Sequence, residues 1–170
     1  MSTRSVVARV EGDGFRGRYV HSDGYPASRG PVLFALYHDT FQRDAERMMS
    51  VLLDHHYGWS SLDPAEGTEG SWKAKSGYGT GLLEIYSDGR FVQVPRVGVA
   101  YTTEQDQTTE DEWYTQDDAD VFLEWAYAVD VESRTLTTFT AEKDGSEYRW
   151  KPVNFASLDR AQPDWGQLED

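Results

Sequence analysis

Apolar and polar positions alternate at the start of the chain. Residues 4–10 (Arg4, Ser5, Val6, Val7, Ala8, Arg9, Val10) are rich in branched apolar side chains, and residues 15–21 set Phe15, Gly17, Tyr19 and His21 against Arg16, Arg18 and Val20. Side chains repeat every second residue in a strand, and Glu11-Gly12-Asp13-Gly14 between the two runs is a turn signal. The pattern predicts a hairpin in which Val10 faces Phe15, Ala8 faces Gly17, Val6 faces Tyr19, Arg4 faces His21, and Ser2 comes level with Asp23. In that register Arg4, Val6, Tyr19 and His21 share one face. A slip of one residue would separate them.

The period then changes. Pro31 suits the first position of a helix, so the apolar run 32–37 reads as a short buried helix. Asp39 or Thr40 can cap the next one, with Gln42 placed as in a capping box. Phe41, Ala45, Met48, Met49, Leu52, Leu53 and His56 recur at helical spacing, which predicts a central amphipathic helix ending near Gly58. Residues 58–81, with isolated Trp59, Trp72 and Tyr78, read as irregular connection. A small hairpin turning at Ser87-Asp88-Gly89 and a strand at 97–102 follow. Segments 122–131, 135–142 and 148–151 then predict a three-strand meander. Together these elements predict an α+β fold: a mainly antiparallel sheet with an N-terminal hairpin and a helix pair on one face. The expected organisation is a single domain over residues 1–151 and a polar C-terminal tail, 152–170, which Phe155, Leu158 and Trp165 could pin to the body.

Charge changes this picture in one place. The net charge is −14, and residues 61–170 carry all of it. Eight acids fall in 103–120 with almost no aliphatic side chain, so that stretch reads as a long exposed acidic loop. A field of this sign repels phosphate backbones, so no direct nucleic-acid partner is expected. The absence of cysteine excludes disulfide and thiolate chemistry, and no apolar run is long enough for a membrane span. The start lacks the layout of a secretory signal, which makes the cytoplasm the expected location.

The Thr3-Arg4 strand, the Tyr19-x-His21-x-Asp23-Gly24-Tyr25-Pro26 run with Gly30 after it, and the later Gly98-x-x-Tyr101 and Glu124-Trp125-Ala126-Tyr127 together carry a resemblance. The chain resembles an uncharacterised family of small bacterial and phage proteins, in which a Thr-Arg strand precedes a His-x-Asp-Gly/Ser-Tyr-Pro motif. The resemblance covers about the first 40 residues well. It implies a phage or mobile-element context and marks Thr3, Arg4, His21, Asp23, Tyr25 and Pro26 as the distinctive positions.

Polar, aromatic and turn-forming residues are densest from Tyr19 to Gly30. A candidate ligand pocket comprises Arg4, Tyr19, His21, Asp23, Tyr25 and Arg29, because a guanidinium beside a helix N-terminus favours an anion while His21 and Asp23 can accept a proton or orient a ligand. The same residues also fit a structural role, with Asp23 and Pro26 shaping the turn, His21 bound to a carbonyl and Arg4 paired to Asp23. If Met1 is removed, Ser2 presents an amine beside a hydroxyl, the arrangement of an N-terminal nucleophile, which with His21 and Asp23 would make a small amide or ester hydrolase. His21-x-Asp23 plus a helical histidine could hold a metal, but adjacent His55 and His56 cannot share a helix face, so no metal is assigned. Gly77-Tyr78-Gly79-Thr80-Gly81 lacks the lysine of a phosphate loop, and no cofactor is expected. Trp125, Tyr127, Phe139, Tyr148 and Trp150 sit at strand spacing and read as sheet packing. The leading expectation is a phage or mobile-element accessory protein that binds a partner protein or a small anionic ligand through Arg4, His21, Asp23 and Tyr25. The alternatives are the Ser2 hydrolase and an acidic nucleic-acid mimic acting through residues 103–120.

Overall fold

The computed structural model describes residues 3–55, 58–63, 82–87, 90–100 and 113–169, and for 82–87, 90–93 and 100 the backbone alone. Strands β1 (Ser5–Glu11) and β2 (Gly14–Val20) form the opening hairpin, paired from Glu11↔Gly14 to Ser5↔Val20 in the register that the alternation predicts. Helix α1 (Pro26–Ala35) follows, then a π turn over Leu36–Thr40, then helix α2 (Ala45–Leu53). The remaining strands are β3 (Gly58–Ser61), β4 (Leu82–Ser87), β5 (Arg90–Pro95), β6 (Val99–Ala100), β7 (Tyr114–Thr115), β8 (Trp125–Asp130), β9 (Thr135–Asp144) and β10 (Glu147–Ser157). The main sheet runs β10-β9-β8-β1-β2-β3-β6, with β7 beside β2, and β4 pairs with β5 separately. Its pairings are antiparallel except β1 with β8 and β2 with β3. The fold is therefore α+β with a mostly antiparallel sheet.

The sheet has two unlike faces. Val7, Val20, Trp125, Tyr127, Val129 and Leu136 face the helices and pack with Leu33, Phe34, Leu36, Tyr37, Met48, Met49 and Leu52 in the larger core. Each such side chain, fully buried, contributes roughly 1.5–3 kcal/mol. Val6, Ala8, Phe15, Ala126 and Ala128 point the other way into a smaller cluster with Leu123, Tyr19, Tyr114, Phe139 and Trp150. No helix lies on this second face among the described residues, and none is long and apolar enough to cross a membrane.

Several local expectations are corrected. The first helix starts at Pro26, not Pro31; Pro26 supplies the fixed φ of the first turn, and Pro31 sits inside the helix. The second helix is shorter than its apolar stripe: Phe41 N–H bonds the Leu36 carbonyl at 2.9 Å to close the π turn, and Gln42 and Arg43 then adopt φ of 49° and 67°, which no helix continues. Asp44 is the cap, accepting from the Arg47 N–H at 3.0 Å, in place of Asp39 or Thr40. Gly58, expected to end the helix, instead opens β3, and Trp59 is buried.

The tail is also more than a tail. β10 runs through Pro152, which an edge strand tolerates at the register shift between Pro152 and Asn154. Beyond it Leu158 is buried, Tyr37 donates to Asp159 at 2.7 Å, and the turn Trp165–Glu169 lies on α1. The Trp165 ring stacks edge-on to Phe34 and presses on Gly30, where a Cβ would collide with the indole. Phe155 is not an anchor; it is 71% exposed.

Candidate functional site

Two of the candidate residues, Tyr19 and His21, are in contact, and Arg4 stands at the end of the neighbouring strand. Continuing the β1–β2 register one rung past Ser5↔Val20 puts Arg4 level with His21. Both alternate with Val6 and Tyr19 and so lie on the face away from the helices. The Tyr19 hydroxyl and His21 Nδ1 are 2.7 Å apart, and the Tyr114 ring stands 6.2 Å from that of Tyr19. The Arg4 guanidinium carbon lies 5.9 Å from the centre of the Phe122 ring, which is 65% exposed. Arg4 is half-buried and makes no ion pair or side-chain hydrogen bond to any described residue, and its buried Nε has no acceptor.

The rest of the candidate set lies elsewhere. Asp23 is exposed, holds the positive φ of 56° that turns the chain after β2, and pairs with neither Arg4 nor His21. Tyr25 is 45% exposed at the start of α1. Gly24 between them is held by its N–H to the Thr3 carbonyl at 2.9 Å and by the Tyr127 hydroxyl, which donates to its carbonyl at 2.6 Å. Arg29, expected to face an anion, is turned inward and only 1% exposed. Its guanidinium donates to the Leu62 and Ser22 carbonyls, each at 2.7 Å. Burial pulls its pKa down to about 10, partly offset by the nearby Tyr127, Asp23 and Asp63. The N-terminus of α1, the other half of the expected anion site, is taken by the protein itself: Glu169 accepts from the Ala27 N–H at 2.9 Å.

Ser2, His56, the glycine run 77–81 and residues 103–112 lie outside the described residues. His38 is held at 2.7 Å from the Leu158 carbonyl, in the tail contact. The described end of the acidic segment is structured. Arg16 and Arg18 stack their guanidinium carbons 3.9 and 3.4 Å from the centre of the Trp113 ring, and β7 pairs with Arg16 and Gly17.

A second feature escaped the alternation pattern. β7 lies on the outer edge of β2, whereas β8 lies on the far side of β1, so residues 116–124 must cross the hairpin. Tyr114 and Leu123 pack with Val6, Ala8 and Ala126, which puts the crossing on the face away from the helices. Ala8, Ala126 and Ala128 are small enough for a chain to pass over them. Gln116 seats on Gly14, where any Cβ would strike its amide, and its Oε1 accepts from the Phe15 N–H at 3.2 Å. Thr115 and Asp118 brace the turn, with Thr115 N–H donating to Asp118 Oδ2 at 2.6 Å. This clasp brings Phe122 to Arg4, a contact that nothing in the spacing of Asp120, Val121 and Phe122 announces.

No family model matches the chain, and neither a curated protein nor a solved structure is significantly similar to it.

Proposed function

We propose that the chain is an accessory binding protein that holds a partner protein or a small anionic ligand at Arg4, Tyr19 and His21, with Asp23 and Tyr25 on the adjoining loop. One observation carries this reading: in a protein with 30 acids and 16 bases, Arg4 has no carboxylate or carbonyl partner among the described residues. A guanidinium forms its strongest hydrogen bonds with carboxylate or phosphate oxygens, and its stem and plane pack well against an aromatic ring. Phe122 provides that ring, while the Tyr19 contact orients the His21 imidazole beside it. The resemblance of the Thr3-Arg4 strand and the His21-x-Asp23-Gly24-Tyr25-Pro26 run to small bacterial and phage proteins supports a phage or mobile-element setting.

NMR titration with inorganic phosphate and with acetate tests the site. The expected result is saturable shifts at the Arg4 side chain and the His21 ring, lost in the Arg4→Gln, His21→Gln protein. Absence of shifts with both anions, or equal shifts in the double variant, would overturn the assignment.

A further inference from the structure

The clasp leaves a trough between itself and the β9–β10 hairpin, on the same face of the sheet. Two hollows of about 600 and 480 Å3 adjoin there, sharing Asp117, Glu147 and Tyr148 along their walls. The floor of the first is aromatic: the Phe15 ring centre is 5.3 Å from that of Phe139 and 6.3 Å from that of Trp150. Phe122 and Val121 line the second, and both are more than half exposed.

The rim has one sign of charge. Asp13, Asp117, Asp120 and Glu147 are exposed around the hollows, and none of them forms an ion pair with a described residue. Among the described residues Arg149 is the only basic one lining either hollow, and it is held by Asp144 at 3.2 Å. Carboxylates above aromatic rings suit a cation whose stem or neighbour is apolar, since ring faces attract ammonium and guanidinium groups and carboxylates neutralise them. Two linked hollows, each large enough for a side chain and more, fit an extended chain better than one compact molecule.

We infer that this trough binds a short, extended basic peptide segment of a partner protein, with lysine or arginine side chains at the carboxylate rim and apolar side chains on the Phe15, Phe139 and Trp150 floor. This site meets the Arg4 region at Phe122, but neither Arg4 nor His21 lines the hollows, and it does not rest on that reading. The field of the chain favours the same occupant, because a net charge of −14 draws cationic segments in and makes their capture salt-dependent.

The test uses two synthetic hexapeptides, alternating Arg-Phe and alternating Glu-Phe, titrated into the intact protein and followed by the indole N–H resonance of Trp150. The basic peptide is expected to bind and shift that resonance, at least tenfold more tightly than the acidic one. The Asp117→Asn, Glu147→Gln protein changes only exposed side chains and is expected to lose about tenfold in affinity while its melting temperature is unchanged. Equal affinity for the two peptides, undiminished binding by the neutralised variant, or no shift at Trp150 would overturn the inference. So would equally tight binding of argininamide alone, which would make the occupant a small cation. Shifts confined to Arg4 and His21 would likewise count against the trough while leaving the anion site standing.

Discussion

The two faces of the sheet treat their large polar side chains in opposite ways. Toward the helices, the donors end on backbone carbonyls: Arg18 Nε on Leu53 at 2.8 Å, Arg29 on Leu62 and Ser22, Trp59 Nε1 on Leu52 at 2.8 Å and the Tyr127 hydroxyl on Gly24. Each ties a strand or helix to a loop end that regular structure leaves unpaired. On the other face Arg4 has no such carbonyl among the described residues, and Phe122 and Phe155 are exposed. A buried arginine is thus a poor guide to function, because Arg29 is an internal brace. An arginine such as Arg4, with no side-chain hydrogen bond or ion pair to any described residue, is the better guide. The small hydroxyls of Ser5, Ser61 and Thr138 are buried without partners among the described residues, and the packing offers no account of them.

This contrast can be broken by measuring where substitutions hurt. The largest loss is expected from Leu52→Ala, about 3 kcal/mol in urea unfolding, because Leu52 is fully buried on the helix side and its removal leaves a cavity. A loss under about 0.5 kcal/mol would mean that α2 does not seal this core. Arg29→Met comes next, at about 2 kcal/mol: the Ser22 and Leu62 carbonyls lose their donors, while the relieved cost of burying the charge offsets part of the loss. An unchanged or raised stability would show that the brace holds nothing. Arg4→Gln is expected to change stability by less than about 0.5 kcal/mol, because the half-buried side chain makes no ion pair or hydrogen bond to a described residue that the change would remove. If it instead unfolds the protein as readily as Arg29→Met, Arg4 is a brace too, and the two faces are alike.

The hairpin that carries the open-face residues was legible in the chain, and the reasons are local. The Glu11–Gly14 turn and the alternation of residues 15–21 determine a register, which the structure shows from Glu11↔Gly14 to Ser5↔Val20, one rung short of Arg4 and His21. Arg29 was misread because its direction depends on helix phase: a helix begun at Pro26 rather than Pro31 carries it inward, and both prolines fit a first turn. β3 has four residues and one large apolar side chain, too little pattern to mark a strand. The clasp and its trough follow from β7 and β8 lying on opposite flanks of one hairpin, a long-range pairing with no local trace.

The place of β1 in the middle of the sheet bears on how the chain matures. One side of this strand is closed by its hairpin neighbour soon after synthesis, but the other waits for β8, whose Val129 meets Arg9 about 120 residues later. Until then a row of amides and carbonyls on β1 stays open to any extended segment nearby, so the nascent protein carries a hazard of misassembly along this strand.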